Sequence, residues 1–208
     1  MKIVKKKLNK TVLKNAILSF IIGSIVGVII LSIINNSKEY EPTNINSLVK
    51  FEKPISADYT TLNTDTIYKK TFGKSGEYAI SISIEDGYTS TLNSYGSLEK
   101  AKEKLNLSGD KSLDGYLFTH YLSSYLGGVA KNVGIPSTEN IVEFDNGTWI
   151  HYSGFPLLKN GDTMETYITW ANGIFYYVEV VYKNEIPKDA METLKTMSIG
   201  NEKGNIPK

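Results

Sequence analysis

TMETYITWANGIFYYVEVVY, residues 163–182, is the stretch whose reading decides the fold. Asn172-Gly173 stands at its centre between two arms of strand-forming residues, the strongest short-range signal for a hairpin. It predicts Thr163–Ala171 paired with Ile174–Tyr182. The second arm is apolar at nearly every position, as expected of a central strand covered on both faces. Upstream, Asn146-Gly147 joins Ile141–Asp145 to Thr148–Ser153 in the same way, and Phe155–Gly161 is the loop between the hairpins. Tyr78, Ile80, Ile82 and Ile84 alternate with Ala79, Ser81 and Ser83, which is the period of a half-buried strand. Asp65–Phe72 precedes it across the turn Gly73-Lys74-Ser75-Gly76.

Between these strand regions the period changes to that of helices. Ser97–Leu105 places Leu98, Ala101 and Leu105 on one side. From about Leu113 to Lys131, Leu117, Phe118, Tyr121, Leu122, Tyr125, Leu126 and Val129 fill half a helical wheel, and Gly134 and Pro136 close the helix. Pro187 opens a last helix, Lys188–Met197, with Ala190, Met191, Leu194 and Met197 inward. The expected class is α+β: a mainly antiparallel sheet of about six strands packed by two or three helices.

The N-terminus carries a different signal. Lys2, Lys5, Lys6, Lys7, Lys10 and Lys14 stand without an acid, and residues 16–34 then run without a charge. As a helix that run spans roughly 28 Å, about the thickness of a bilayer core. The expected organisation is a basic cytoplasmic tail (1–15), a transmembrane helix (16–34), an extracytoplasmic stalk (35–64), an α+β domain (65–200) and a disordered tail (201–208). A signal peptide has a shorter apolar region and a small-x-small cleavage site, and no alanine lies between Ala16 and Ala57. Ser19, Gly23 and Gly27 fall four apart, the spacing of a transmembrane helix-dimer face.

Composition narrows the function classes. There is no cysteine and no arginine, so disulfides, cysteine nucleophiles and thiolate metal sites are excluded. With six of the 23 lysines in the first 34 residues, the outer part sets 17 lysines against 22 acids. That balance disfavours nucleic acid or anionic lipid as its partner. The lysine-for-arginine bias points to an AT-rich genome, and with a cysteine-free exported domain to a low-GC Gram-positive bacterium.

Catalytic motifs are absent from the outer part: no Gly-x-Ser-x-Gly, no phosphate loop, and only two histidines, His120 and His151. His120 falls on the polar half of the long helix. His151 would lie across from Val142 on the face of Phe144 and Trp149, while Glu143 points to the other face. A metal or proton-transfer centre needs a third ligand or an orienting carboxylate beside one of them. Neither cofactor nor metal is expected. Aromatic weight is what the second half does carry, and Trp149, Tyr152, Phe155, Trp170 and Tyr177 are the candidate binding surface. The competing reading is a tyrosine-rich sheet core.

The pattern Thr169-Trp170-Ala171-Asn172-Gly173 with Tyr176-Tyr177, followed by a helix ending Leu194-Lys195-Thr196-Met197-Ser198-Ile199, resembles uncharacterised membrane-anchored exported domains of low-GC Gram-positive bacteria. In outline it is similar to the PsbP-like fold, a sheet flanked by helices and ending in a helix. The resemblance covers residues 65–200 and implies no catalytic residues. The expected function is a non-catalytic binding or accessory domain of the cell envelope, partnered by an envelope protein, peptide or glycan. The alternatives are an envelope enzyme acting on wall or surface polymers, marked by convergent acids or by His151 with a carboxylate, and a carrier with a closed apolar cavity.

Overall fold

The computed structural model describes residues 40–45, 49–54, 58–63, 67–158, 161–199 and 203–207. The strands are β1 (Tyr40–Ile45), β2 (Val49–Pro54), β3 (Asp58–Asn63), β4 (Ile67–Lys74), β5 (Tyr78–Asp86), β6 (Thr138–Phe144), β7 (Gly147–Ser153), β8 (Thr163–Ala171), β9 (Ile174–Tyr182) and β10 (Ser198–Ile199). The helices are α1 (Gly87–Tyr95), α2 (Leu98–Lys104), α3 (Asp110–Val133) and α4 (Lys188–Thr196). The tail 1–15, the apolar run 16–34 and its Ser19, Gly23 and Gly27 lie outside the described residues. Among the described residues no helix is long and apolar enough to cross a membrane.

Seven strands form one antiparallel sheet in the order β3-β4-β5-β9-β8-β7-β6, and β1-β2-β10 form a small second sheet. As the sequence predicts, β8 and β9 meet through Asn172 and Gly173, at φ 51° and 77°, the left-handed pair of a type I′ turn. Gly173 is needed twice over: a Cβ there would strike the ring of Tyr88. Its carbonyl accepts from the amides of Gly87 and Tyr88 at 2.9 and 3.2 Å, so the turn seats the start of α1. The carboxylate of Asp86 caps that helix by accepting from the amide of Thr89 at 2.8 Å.

Alternation along β9 splits the interior into two cores. Tyr176, Val178 and Val180 join Phe72, Ile80, Ile82, Ile84 and Trp149 on one face, covered by Ala190 and Leu194 of α4, by Met197 just past its end, and by Ile45, Val49, Phe51 and Ile199 of the small sheet. Phe175 joins Ile150, Met164, Ile168 and Trp170 on the other, covered by Leu113, Leu117, Phe118 and Val129 of α3. The central, doubly covered position expected for β9 is the one it occupies.

Three expectations need correction. The span 35–64 is no plain stalk, because β1, β2 and β3 lie within it and the compact unit begins at Tyr40. The reason is legible in β2: Val49 and Phe51 point inward, but so does Lys53, 4% exposed and paired with the Glu41 carboxylate. A lysine on the inward row hides the alternation. The tail 201–208 is ordered where described, since Gly204 and Asn205 pair with the large sheet. The first hairpin turns through Asp145-Asn146, with Phe144 opposite Gly147, so His151 faces Asn140 and not Val142. Both registers keep His151 on the face of Trp149. The shift leaves the Asn146 side chain free to donate to the carbonyls of Leu194 and Met197, each at 2.7 Å, and to accept from Trp149 Nε1 at 2.9 Å. It thereby satisfies carbonyls at the end of α4 that have no helical partner.

The sheet also has a gap. Strands β7 and β8 pair only over Ile150–Tyr152 and Thr166–Ile168. Beyond that they part, and residues 204–205 enter between them. The Thr148 amide donates to Gly204 O at 3.0 Å and the Gly204 amide to Asn146 O at 2.8 Å. The Trp170 amide donates to Asn205 O at 3.0 Å, and the Asn205 amide returns to Trp170 O at 2.8 Å.

Candidate functional site

The densest polar constellation centres on Glu165 of β8. In the register of β7 with β8, His151 stands opposite Tyr167, and the two rings stack at 4.5 Å and 8°. Glu165 lies two residues before Tyr167 on the same face, so all three converge. Glu165 Oε2 meets His151 Nε2 at 2.9 Å and accepts from the Tyr167 hydroxyl at 2.8 Å. Its Oε1 accepts from the Tyr182 hydroxyl at 2.7 Å. An ionised carboxylate only accepts, so Nε2 of His151 carries the proton.

These donors set the electrostatics. The hydrogen bond from His151, then those from Tyr182 and Tyr167, hold the Glu165 carboxyl down at about 2 against the opposing effect of burial. The Tyr182 hydroxyl is pushed up to about 12, first by burial and then by its bond to Glu165. Tyr167 is pushed up for the same two reasons. The result is a fixed anion clasping β7, β8 and β9. It lies beside a groove of about 390 Å³ whose wall includes Tyr182, Glu77, Lys183, Glu185 and Lys188. At that groove the Asp189 carboxylate accepts from the Tyr40 hydroxyl at 2.8 Å and from that of Tyr78.

The opposite face holds a second polar group. Glu179 meets Lys69 Nζ at 3.4 Å and the Tyr125 hydroxyl at 3.1 Å, and that hydroxyl also contacts Thr166 Oγ1 at 2.9 Å. Burial pushes Glu85 up, opposed by a hydrogen bond from Tyr177 and by the charge of His120. His120 is exposed, stacked on Tyr116 at 6.4 Å. Among the described residues no group of three or more His, Asp or Glu is placed to hold a metal ion.

The five aromatic residues of the candidate surface do not share a face. Trp149, at 0% exposure, lies in the core against α4. Tyr152, Phe155 and Trp170 are buried in the core under α3, with Tyr177 part-buried beside them. Neighbours of opposite parity in a strand point to opposite faces, and large aromatics on a doubly covered sheet fill its cores. The Glu165 centre is not among the residues the sequence singles out, although Glu165-x-Tyr167 stands on a predicted strand. His151 does meet a carboxylate, and that partner lies on the next strand.

No protein-family model matches the chain, and no curated protein sequence matches it. Among solved structures it is similar to the cyanobacterial PsbP protein CyanoP from Synechocystis sp. PCC 6803, with a TM-score of 0.45 and 8% identity over 77% of this chain and 92% of that one. At that level the functional reading rests on this chain's own residues.

Proposed function

We propose that this chain is a single-pass membrane-anchored extracytoplasmic domain of the cell envelope, which binds an envelope protein, peptide or glycan without catalysis. The charge-free run 16–34 behind six lysines supports the anchor and its orientation. The partners of Glu165 support the non-catalytic part: its two oxygens are taken up by His151 of β7, Tyr167 of β8 and Tyr182 of β9. Its hydrogen bonds join strands, and an anchored binder gains from local concentration at the membrane.

The cysteine-free chain gives a clean test of topology. A membrane-impermeant maleimide on intact cells should label Tyr116→Cys at once and Lys5→Cys only after lysis; the reverse pattern refutes the anchor reading. Binding is tested by capture from detergent-solubilised membranes with the full-length protein. Failure to retain any specific envelope component refutes it. One observation favours the enzyme alternative: His151 Nε2 lies 2.9 Å from Glu165 on a side chain 18% exposed. Turnover of a wall polymer that vanishes in His151→Ala would establish it.

A further inference from the structure

The gap between β7 and β8 is built to receive backbone. Four main-chain hydrogen bonds join residues 204 and 205 to Asn146, Thr148 and Trp170, the bonding of strand addition. The fit excludes side chain where the segments cross. A Cβ on Gly204 would strike the hydroxyl of Thr169, and one on Gly147 would strike the backbone of Gly204. Thr169 Oγ1 donates to Thr148 O at 2.7 Å beneath the inserted segment, so β7 and β8 remain tied even where their own ladder is open. Past the glycine, Asn205 is exposed while Ile206 packs against the core under α3. A hollow of about 430 Å³ then opens, walled by Lys111, Asp114, Asn205 and Pro207.

We propose that this gap is a peptide-acceptor site, that residues 203–207 are its tethered resident, and that the partner supplies an extended segment of glycine, a polar residue and a branched apolar residue. The inference rests on the reading of the domain as a binding module and names what it binds. The resident displays the chemistry required, since each of its positions meets a different constraint: no side chain at the crossing, solvent at the next residue, an apolar contact after it. The hollow walled by Pro207 offers a partner segment Lys111 and Asp114, one charge of each sign. A tethered segment competes at an effective concentration in the millimolar range, so the resident sets the threshold a partner must exceed.

The test uses the full-length protein in detergent and a fluorescent peptide with the sequence of residues 201–208. Gly204→Val should expel the resident, speeding hydrogen exchange at the Thr148 and Trp170 amides. The peptide should bind that variant at least about tenfold more tightly than wild type and restore the protection. Ile206→Asp expels the resident by setting a charge against the apolar core instead of by a clash, and should behave alike, which covers a valine variant that fails to fold. A peptide with valine in place of its glycine should not bind either variant. Unchanged amide protection in both variants, a folded variant that ignores the peptide, or equal binding of the valine peptide would each overturn the proposal. So would wild-type dimers that the peptide dissociates, which would make the resident a segment exchanged between copies. None of these readouts depends on membrane topology or on capture of an envelope component, so failure here leaves those tests standing.

Discussion

Replacing Glu165 by glutamine should change how stability depends on pH more than it changes the fold. In the folded chain the carboxyl titrates at about 2, against an ordinary 4.5. A folded value below the unfolded one contributes stability that is complete above about pH 5 and is lost as pH falls toward 2. At 1.36 kcal/mol per unit the shift is worth roughly 3 kcal/mol. The side chain is 15% exposed, and solvent screening brings the figure to about 2 kcal/mol. The assay is urea unfolding of the full-length protein in detergent at pH 7, 5, 4, 3 and 2.5, read by the fluorescence of the buried Trp149 and Trp170. Wild type should exceed Glu165→Gln by about 2 kcal/mol at pH 7, with the gap closing between pH 5 and 2. Two curves that stay parallel across that window would refute the assignment of a clamped anion to this residue.

Two further substitutions probe the corrected parts of the fold. Phe51, 2% exposed and stacked on Phe72 at 5.7 Å, should cost about 3–5 kcal/mol when changed to alanine; a loss under about 0.5 kcal/mol would return this span to the status of a stalk. Asn146→Ala removes two donations to the end of α4 and the acceptor for Trp149 Nε1. Leaving those groups unpaired should cost about 2–4 kcal/mol in the same unfolding assay, and a near-neutral change would mean that water replaces the asparagine.

What the sequence disclosed, and what it hid, follows the range of the interactions involved. The hairpin of β8 and β9 was legible because its signal is local: a turn pair with two positive φ angles and arms of the right period. The alternation of β5 and the apolar face of α3 are equally local. Helix α1 escaped notice because Gly87–Tyr95 has no clear apolar stripe and is placed by the turn at Gly173, far along the chain. Small strands with a buried lysine escaped for want of a clean period. The Glu165 centre depends on which strands become neighbours and in what register. His151 and Glu165 were both visible as residues, but the pairing of β7 with β8 crosses a loop whose length fixes neither.

The pairing of β5 with β9 runs from Tyr78 opposite Tyr182 to Asp86 opposite Ile174, between residues 88 to 104 positions apart. Among the described residues it is the one ladder that joins the β3-β4-β5 meander to the β6–β9 meander in the large sheet. In a chain made from its N-terminus, β4 and β5 are finished long before β9 exists. Until then Ile80, Ile82 and Ile84 sit on a strand with an open hydrogen-bonding edge, the arrangement most prone to pair with a neighbouring chain. Closing so distant a ladder places folding in the slow, millisecond-to-second regime of non-local sheets. The chain between β5 and β9, which holds α1–α3 and β6–β8, thus sets a waiting time during synthesis, and β9 is the strand whose arrival ends it.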